Sequence, residues 1–163
     1  MSDKQYSKPA GPGMKRILVP LDGSVFGEAA LPCAEELARV SKAEIILLQS
    51  VSPHSFEVDL AESRSPHLSK LSEEYVEHAT TAARAYLAKI EKRLSQSGIA
   101  AHSVVEIGAP AERIIACAKD NAVDVIALST HGRSGLSALM MGSVANRVLH
   151  YAEVPVLLVK PHK

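Results

Sequence analysis

Five short apolar segments alternate with amphipathic segments along the chain, and this alternation restricts the possible folds more than any other feature. The apolar segments are 16–21, 44–51, 102–107, 123–129 and 154–159. The stretches between them carry apolar residues at helical spacing. Strands that alternate with helices form a parallel sheet through right-handed crossovers, and continuously apolar strands are covered on both faces. The sequence therefore predicts an α/β fold with a five-stranded parallel sheet and helices on both faces.

Prolines and glycines predict where the helices begin and end. Pro32 argues that the helix predicted over 27–41 starts late or is locally distorted, because proline lacks a backbone donor. The long helix predicted over 71–94 ends shortly before Gly98, which is typical of a residue that follows a helix. Pro110 suits the first turn of the helix after the third strand.

Two segments are predicted to lie outside regular structure. Residues 52–68 are rich in Ser, Pro and charge, which is typical of a loop. Residues 1–13 contain two prolines and two glycines and predict a flexible tail. The remaining residues, 14–163, have the size of a single domain.

Charge and hydropathy exclude several classes of protein. The chain has 18 Lys and Arg residues against 18 Asp and Glu residues, so it lacks the basic excess of a general nucleic-acid binder. No apolar run approaches the roughly 20 residues of a membrane span, and the polar N-terminus has no signal-peptide core. We therefore expect a cytoplasmic protein that binds neither nucleic acid nor membrane. Cys33 and Cys117 have no metal-ligand spacing and are expected to be small buried residues on helices.

Three glycines follow the fourth apolar segment: Gly132, Gly135 and Gly142. Gly142 and Ser143 stand where the last helix is predicted to begin, so free backbone N–H groups and the helix dipole favour an anion there. The P-loop and GxGxxG patterns of common nucleotide sites are absent. Two interpretations stay open, an anion site or an ordinary helix cap by the Ser143 hydroxyl after a flexible loop.

Asp22 ends the first predicted strand, at the carboxyl edge where parallel sheets bind ligands. A carboxylate repels phosphates, so Asp22 is better suited to a ribose hydroxyl, an adenine amino group or a metal ion. It fits equally well as a turn residue before Gly23 or as a helix cap.

Two side chains in the glycine loop offer further chemistry. Arg133 could pair with a phosphate, although a solvated loop arginine is the commoner case. His131 could act as a general acid or base, but the sequence offers it no obvious orienting partner. We therefore expect a structural role for His131.

Four segments of the chain resemble the universal stress protein family. They read "RILVPLDGS", "GAPAERII", "DVIALSTHGRSGL" and "MGSVANRVLHYAEVPVLLVK", and the resemblance extends over residues 14–161. It implies a Rossmann-like nucleotide-binding fold with the strand order 3-2-1-4-5. A long apolar strand 154–159 then lies at the sheet edge, where two copies of the chain are expected to pair as a homodimer.

The resemblance also implies an ATP site. Family members that bind ATP carry a glycine, two residues, a second glycine, nine residues, and then Gly-Ser or Gly-Thr. Here the second glycine matches Gly132 and the pair matches Gly142-Ser143, while Ser129 replaces the first glycine. The residues that the resemblance places around adenine, ribose and phosphates are Pro20, Asp22, Ser50, Leu128, Ser129, Gly132, Gly142, Ser143, Val144 and Ala145, with Arg133 as a further phosphate candidate. ATP is expected to bind with Mg²⁺ or Mn²⁺, for which Asp22 is a candidate contact.

The function that the resemblance implies is that of an ATP-binding regulatory protein of the stress response. A slow ATP hydrolase or adenylyl-handling enzyme at the same site is the first alternative, although the sequence shows no complete catalytic set. The second alternative is a family member that no longer binds nucleotide and acts through protein contacts.

Overall fold

The computed structural model describes residues 13–53, 66–131 and 141–161, with the side chains of 66–70 left out. A five-stranded sheet in the order β3-β2-β1-β4-β5, with every pair parallel, forms its centre. The elements are β1 Arg16–Leu21, α1 Leu31–Ser41, β2 Glu44–Val51, α2 Pro66–Gln96, β3 Ala101–Ile107, α3 Pro110–Asp120, β4 Val125–Ser129, α4 Ser143–Tyr151 and β5 Val156–Val159. The fold class and strand order predicted from the sequence are confirmed.

The core consists of two layers, one on each face of the sheet. Strand residues at odd positions, such as Ile17 and Leu47, pack with α1 and α2 in one buried cluster. Residues at even positions, such as Leu18 and Ile46, pack with α3 and α4 in the other. The period of two along each strand therefore assigns every side chain to one helical layer.

Helix ends follow the local signals, with one difference at the start of α2. A 3-10 helix at Gly27–Ala30 precedes α1, so the late or distorted start predicted from Pro32 is confirmed. Pro110 begins α3, as predicted. Helix α2 begins at Pro66 and is longer than predicted, so the loop prediction for 52–68 is wrong at its last three positions. Proline is tolerated in a first helical turn, and here it starts the helix.

Several predictions concern residues outside the described parts of the chain. They are the tail over residues 1–12, most of the loop 52–68, and Gly132, Arg133 and Gly135 in the glycine loop. The two cysteines are described, and neither is in a disulfide. Cys117 is buried as predicted, but Cys33 is exposed, because the buried stripe of α1 passes through Leu31, Ala34 and Ala38 instead.

No helix in the described parts of the chain is both long enough and apolar enough to cross a bilayer.

Candidate functional site

A cavity of about 590 Å³ opens at the carboxyl edge of the sheet. Its walls are the ends of β1, β2 and β4, the first residues of α3 and α4, and one side of α2. All the predicted site residues that the structure describes line it: Pro20, Asp22, Ser50, Leu128, Ser129, Gly142, Ser143, Val144 and Ala145. This is the switch point of the strand order, between β1 and β4, where open parallel sheets bind their ligands.

Asp22 turns the chain at the end of β1. Its Oδ1 accepts hydrogen bonds from the backbone N–H of Ser24 at 3.0 Å and from the Ser24 hydroxyl at 2.6 Å. The Ser24 oxygen in turn accepts the N–H of Gly27 at 3.0 Å. A Cβ on Gly27 would lie only 2.5 Å from Asp22 Oδ1, so a side chain there would displace this carboxylate from its bonds to Ser24. Asp22 therefore acts as a turn residue, and this half-buried residue also lines the cavity.

The end of β2 contributes two polar residues with different surroundings. The Ser50 hydroxyl donates to the carbonyl of Gly108 at 2.6 Å, which ties β2 to the turn before α3. Gln49 is only 7% exposed, and its Oε1 has no hydrogen-bond partner within 13–53, 66–131 and 141–161. Sequence reasoning missed Gln49, although a lone amide within the apolar run "EIILLQSV" is a visible signal.

The end of β4 holds a polar triplet at the cavity wall. Thr130 Oγ1 lies 2.8 Å from His131 Nδ1, and the Ser129 hydroxyl accepts the backbone N–H of His131 at 3.3 Å. The expectation that His131 lacks an orienting partner is therefore wrong, because the adjacent threonine supplies one. The other ring nitrogen, His131 Nε2, is buried and has no partner among the residues that the structure describes.

The N-terminus of α4 presents backbone donors to the cavity. Gly142 is the N-cap residue, and no side chain in the described parts of the chain caps the helix. The first helical hydrogen bond runs from Asn146 to the carbonyl of Gly142 at 2.9 Å. The N–H groups of Ser143, Val144 and Ala145 therefore have no acceptor within the helix, and the helix dipole adds partial positive charge there. The interpretation of Ser143 as the cap is wrong, since this serine is already the first helical residue.

Helix α2 covers the cavity with small and aromatic residues. Tyr75, Ala79, Ala82, Ala83 and Tyr86 line it. The Tyr86 hydroxyl donates to Glu28 Oε1 at 2.9 Å, and burial together with this carboxylate raises the pKa of Tyr86 well above its ordinary value. The sequence predicted most of these positions as an apolar stripe and gave no reason to place them at a site. The alanines are the available signal, because they leave volume where a core helix carries larger side chains.

The described residues offer no ready-made metal centre. Within 13–53, 66–131 and 141–161, no three or more His, Cys, Asp or Glu side chains are grouped so that they could hold an ion. Asp22 is the predicted metal contact, and a single carboxylate fits an ion that arrives with phosphate ligands of its own.

Parallel topology, a switch-point cavity and a helix N-terminus in its wall define a Rossmann-like α/β protein. The universal stress protein family model matches residues 13–160, and the chain belongs to this family.

Known relatives are similar over nearly the whole chain. Universal stress protein MJ0531 of Methanocaldococcus jannaschii is 32% identical, over 91% of this chain and 84% of its own. The solved structure of MJ0577, from the same organism, has a TM-score of 0.81 at 27% identity and covers 93% of this chain and 99% of that one. A universal stress protein crystallised in complex with cAMP has a TM-score of 0.66 at 19% identity, over 93% of this chain and 100% of that one, and shows the same fold.

Proposed function

We propose that this protein is an ATP-binding regulatory module of the stress response, with the nucleotide held in the cavity at the carboxyl edge of the sheet. The single observation that carries the proposal is the arrangement of α4. Three residues whose backbone N–H groups have no acceptor in the described parts of the chain line a cavity of about 590 Å³, a volume ordinary for a small-molecule site. These donors bind negative charge without a lysine, which explains how the site operates without a P-loop.

The two ends of the cavity suit the two ends of a nucleotide. Ser143, Val144 and Ala145 offer backbone N–H groups to phosphates at one end. At the other, Pro20, Leu48 and the alanines of α2 provide apolar walls for a base. Asp22 stands between these surfaces on β1, where its carboxylate suits a ribose hydroxyl or a Mg²⁺ or Mn²⁺ ion that accompanies the phosphates.

The Ser129 departure from the family pattern is compatible with binding. Ser129 is the last residue of β4, and extended backbone of this kind accepts any side chain. Its hydroxyl is already used by the N–H of His131. The first motif position therefore does not need glycine for its own conformation.

Slow hydrolysis at the same site is the second candidate. The observation that favours it is the Thr130–His131 pair, in which Thr130 Oγ1 orients the ring of a residue that lines the cavity. An oriented imidazole can accept a proton from an attacking water. A complete hydrolase needs positioned cations as well, so we propose that turnover is slow and that binding is the main activity.

Nucleotide extraction tests the proposal directly on the purified protein. The protein is denatured, and the released small molecules are separated by ion-exchange chromatography and identified by mass spectrometry. We expect an adenine nucleotide in the wild type after gentle purification. The matched control is Gly142→Asp, purified in parallel, which should carry much less. Equal amounts in both proteins would place the nucleotide elsewhere, and a wild type that neither retains nor binds nucleotide would favour a protein-interaction role.

A further inference from the structure

Gln49 is the most deeply buried polar side chain of the cavity wall, at 7% exposure. It occupies an odd position near the end of β2, so its side chain belongs to the face that α1 and α2 cover. Its register neighbours on this face are Leu21 in β1 and Val105 in β3. Both are apolar, so the sheet provides no partner for the amide.

The side-chain oxygen of Gln49 is an unsatisfied acceptor. In the part of the chain that the structure describes, Oε1 is fully buried and accepts no hydrogen bond. Burying such an atom without a partner costs free energy, and most buried acceptors in proteins are satisfied. An unpaired acceptor on a residue that lines a cavity is satisfied when a ligand brings the donor.

Helix α2 lines the same cavity as Gln49 through three alanines and two tyrosines. They are Ala79, Ala82, Ala83, Tyr75 and Tyr86. The Tyr86 hydroxyl is committed to Glu28 and therefore does not satisfy the amide. Small apolar walls of this kind accept a flat ring system by contact with its faces and leave the ring edge to polar groups.

The distance between the start of α4 and the end of β2 fits a nucleotide whose nucleoside lies near Gln49. Helix α4 begins beside the end of β4, and β2 lies two strands away in the sheet. Two strand spacings amount to roughly 10 Å. A nucleotide with phosphates at α4 therefore extends its base and ribose across β1 toward Gln49.

We propose that Gln49 reads the nucleoside: its Oε1 accepts a hydrogen bond from a donor on the base or the sugar. The donor is the exocyclic amine of the base or a ribose hydroxyl, which share this chemistry. The inference rests on the proposed function, because it assumes phosphates at α4. It adds a specificity-determining side chain to a site otherwise built from backbone donors, a carboxylate and apolar walls.

The test combines one substitution with ligands that lack single donors. Wild-type protein and Gln49→Met, which keeps the length of the side chain and removes its polar atoms, are titrated by calorimetry with four nucleotides. They are ATP, purine riboside 5′-triphosphate without the 6-amino group, 2′-deoxy-ATP and 3′-deoxy-ATP. Thr80→Val is the matched control, because Thr80 Oγ1 is also buried and unpaired but lines a different groove.

We expect the wild type to bind one of the three analogues about tenfold more weakly than ATP. Gln49→Met should bind ATP about tenfold more weakly and should no longer distinguish that analogue from ATP. Its melting temperature without nucleotide should equal or exceed that of the wild type, since an unsatisfied polar group has been removed. Thr80→Val should bind all four ligands as the wild type does.

Two results overturn the inference while leaving the proposed function intact. One is folded Gln49→Met binding ATP as tightly as the wild type. The other is Gln49→Met losing the same factor for ATP and every analogue, which means that the amide does not touch a nucleoside donor. If the wild type binds none of the four nucleotides, the proposed function itself fails and the inference falls with it.

Discussion

The backbone N–H of Gly142 donates a 2.8 Å hydrogen bond to the carbonyl oxygen of Thr130, which ties the start of α4 to the end of β4. A Cβ on Gly142 would lie 3.3 Å from the same oxygen. Because φ at Gly142 is −61°, which any residue adopts, close approach and not backbone conformation favours glycine here. This contact holds the donors of α4 beside the polar triplet Ser129–His131.

Ser143→Ala should reduce ATP affinity only mildly, by less than about tenfold, because it removes one hydroxyl and leaves every backbone donor of α4 in place. Since the Ser143 side chain makes no cap bond, the free energy of unfolding should also change little. Calorimetric titration and urea denaturation measure the two quantities. A loss of affinity as large as that expected for Gly142→Asp would mean that the hydroxyl, and not the backbone, holds the phosphates.

Ser129→Gly should leave ATP affinity unchanged or slightly higher, because it restores the first glycine of the family pattern. It should lower the free energy of unfolding by about 0.5–1 kcal/mol, since glycine in a strand loses more conformational entropy on folding. The lost bond to the His131 N–H acts in the same direction. The same two measurements apply, with Ser129→Ala as the control that removes the hydroxyl alone. A marked loss of affinity in Ser129→Gly but not in Ser129→Ala would contradict the prediction.

Asp22→Asn should reduce whatever divalent-dependent ATP hydrolysis the wild type shows. The amide oxygen of asparagine can still accept the two bonds from Ser24, so the turn is retained while the negative charge that favours a metal ion is removed. Phosphate release is measured with and without Mg²⁺ or Mn²⁺. The wild-type rate itself should stay well below about 1 per second, the lower end for ordinary enzymes.

Ser24→Ala separates charge from geometry at the same turn. It keeps the carboxylate but removes the hydroxyl that links Asp22 to Gly27. Hydrolysis in Ser24→Ala should retain its divalent dependence. A rapid wild-type rate, or an Asp22→Asn rate equal to that of the wild type, would show that another group carries the chemistry.

Two copies of the chain should form a homodimer by pairing the free edges of their β5 strands. Among the described strands, β5 pairs with β4 alone. The carbonyls of Pro155 and Val159 accept bonds from the β4 side, so by alternation the N–H of Leu158 points outward. Leu158→Pro should therefore break the pairing of two copies without removing a backbone hydrogen bond to β4. Light scattering should then report a monomer.

Leu158→Ala is the matched control for the dimer, because it trims the same side chain and keeps the N–H. The control should remain a dimer. If folded Leu158→Pro is also a dimer, the interface lies on another surface.

The sheet could be predicted from sequence because its determinants are local. Each strand is a continuous apolar run, and each crossover helix has its own stripe and terminal signals, such as Pro110 at the start of α3. Strand order came from the family resemblance, since apolar runs alone do not say which strands are neighbours. The exposed Cys33 was mispredicted because the prediction rested on the usual burial of cysteine, whereas position 33 lies beside the buried stripe of α1.

The site was predictable where the motif fixes backbone position, as at Gly142 and Asp22. It was not predictable where tertiary packing creates the environment. Gln49 and the α2 alanines are far apart in sequence, and they line the same cavity only after the crossover is formed. The partner of His131 was missed for a different reason, because a neighbouring threonine orients the ring only in one side-chain arrangement.

The backbone N–H groups of α4 are proposed to hold the phosphates of ATP. Calorimetric titration of Gly142→Asp with ATP tests this contact. The carboxylate adds a like charge beside the phosphates and a side chain near the carbonyl of Thr130. Gly142→Ala is the control for the added Cβ alone. Folded Gly142→Asp should bind ATP at least about a hundredfold more weakly than the wild type, as expected for the loss of two charged hydrogen bonds, and Gly142→Ala should lie in between. Folded Gly142→Asp that binds ATP as tightly as the wild type would show that the N-terminus of α4 does not hold the phosphates.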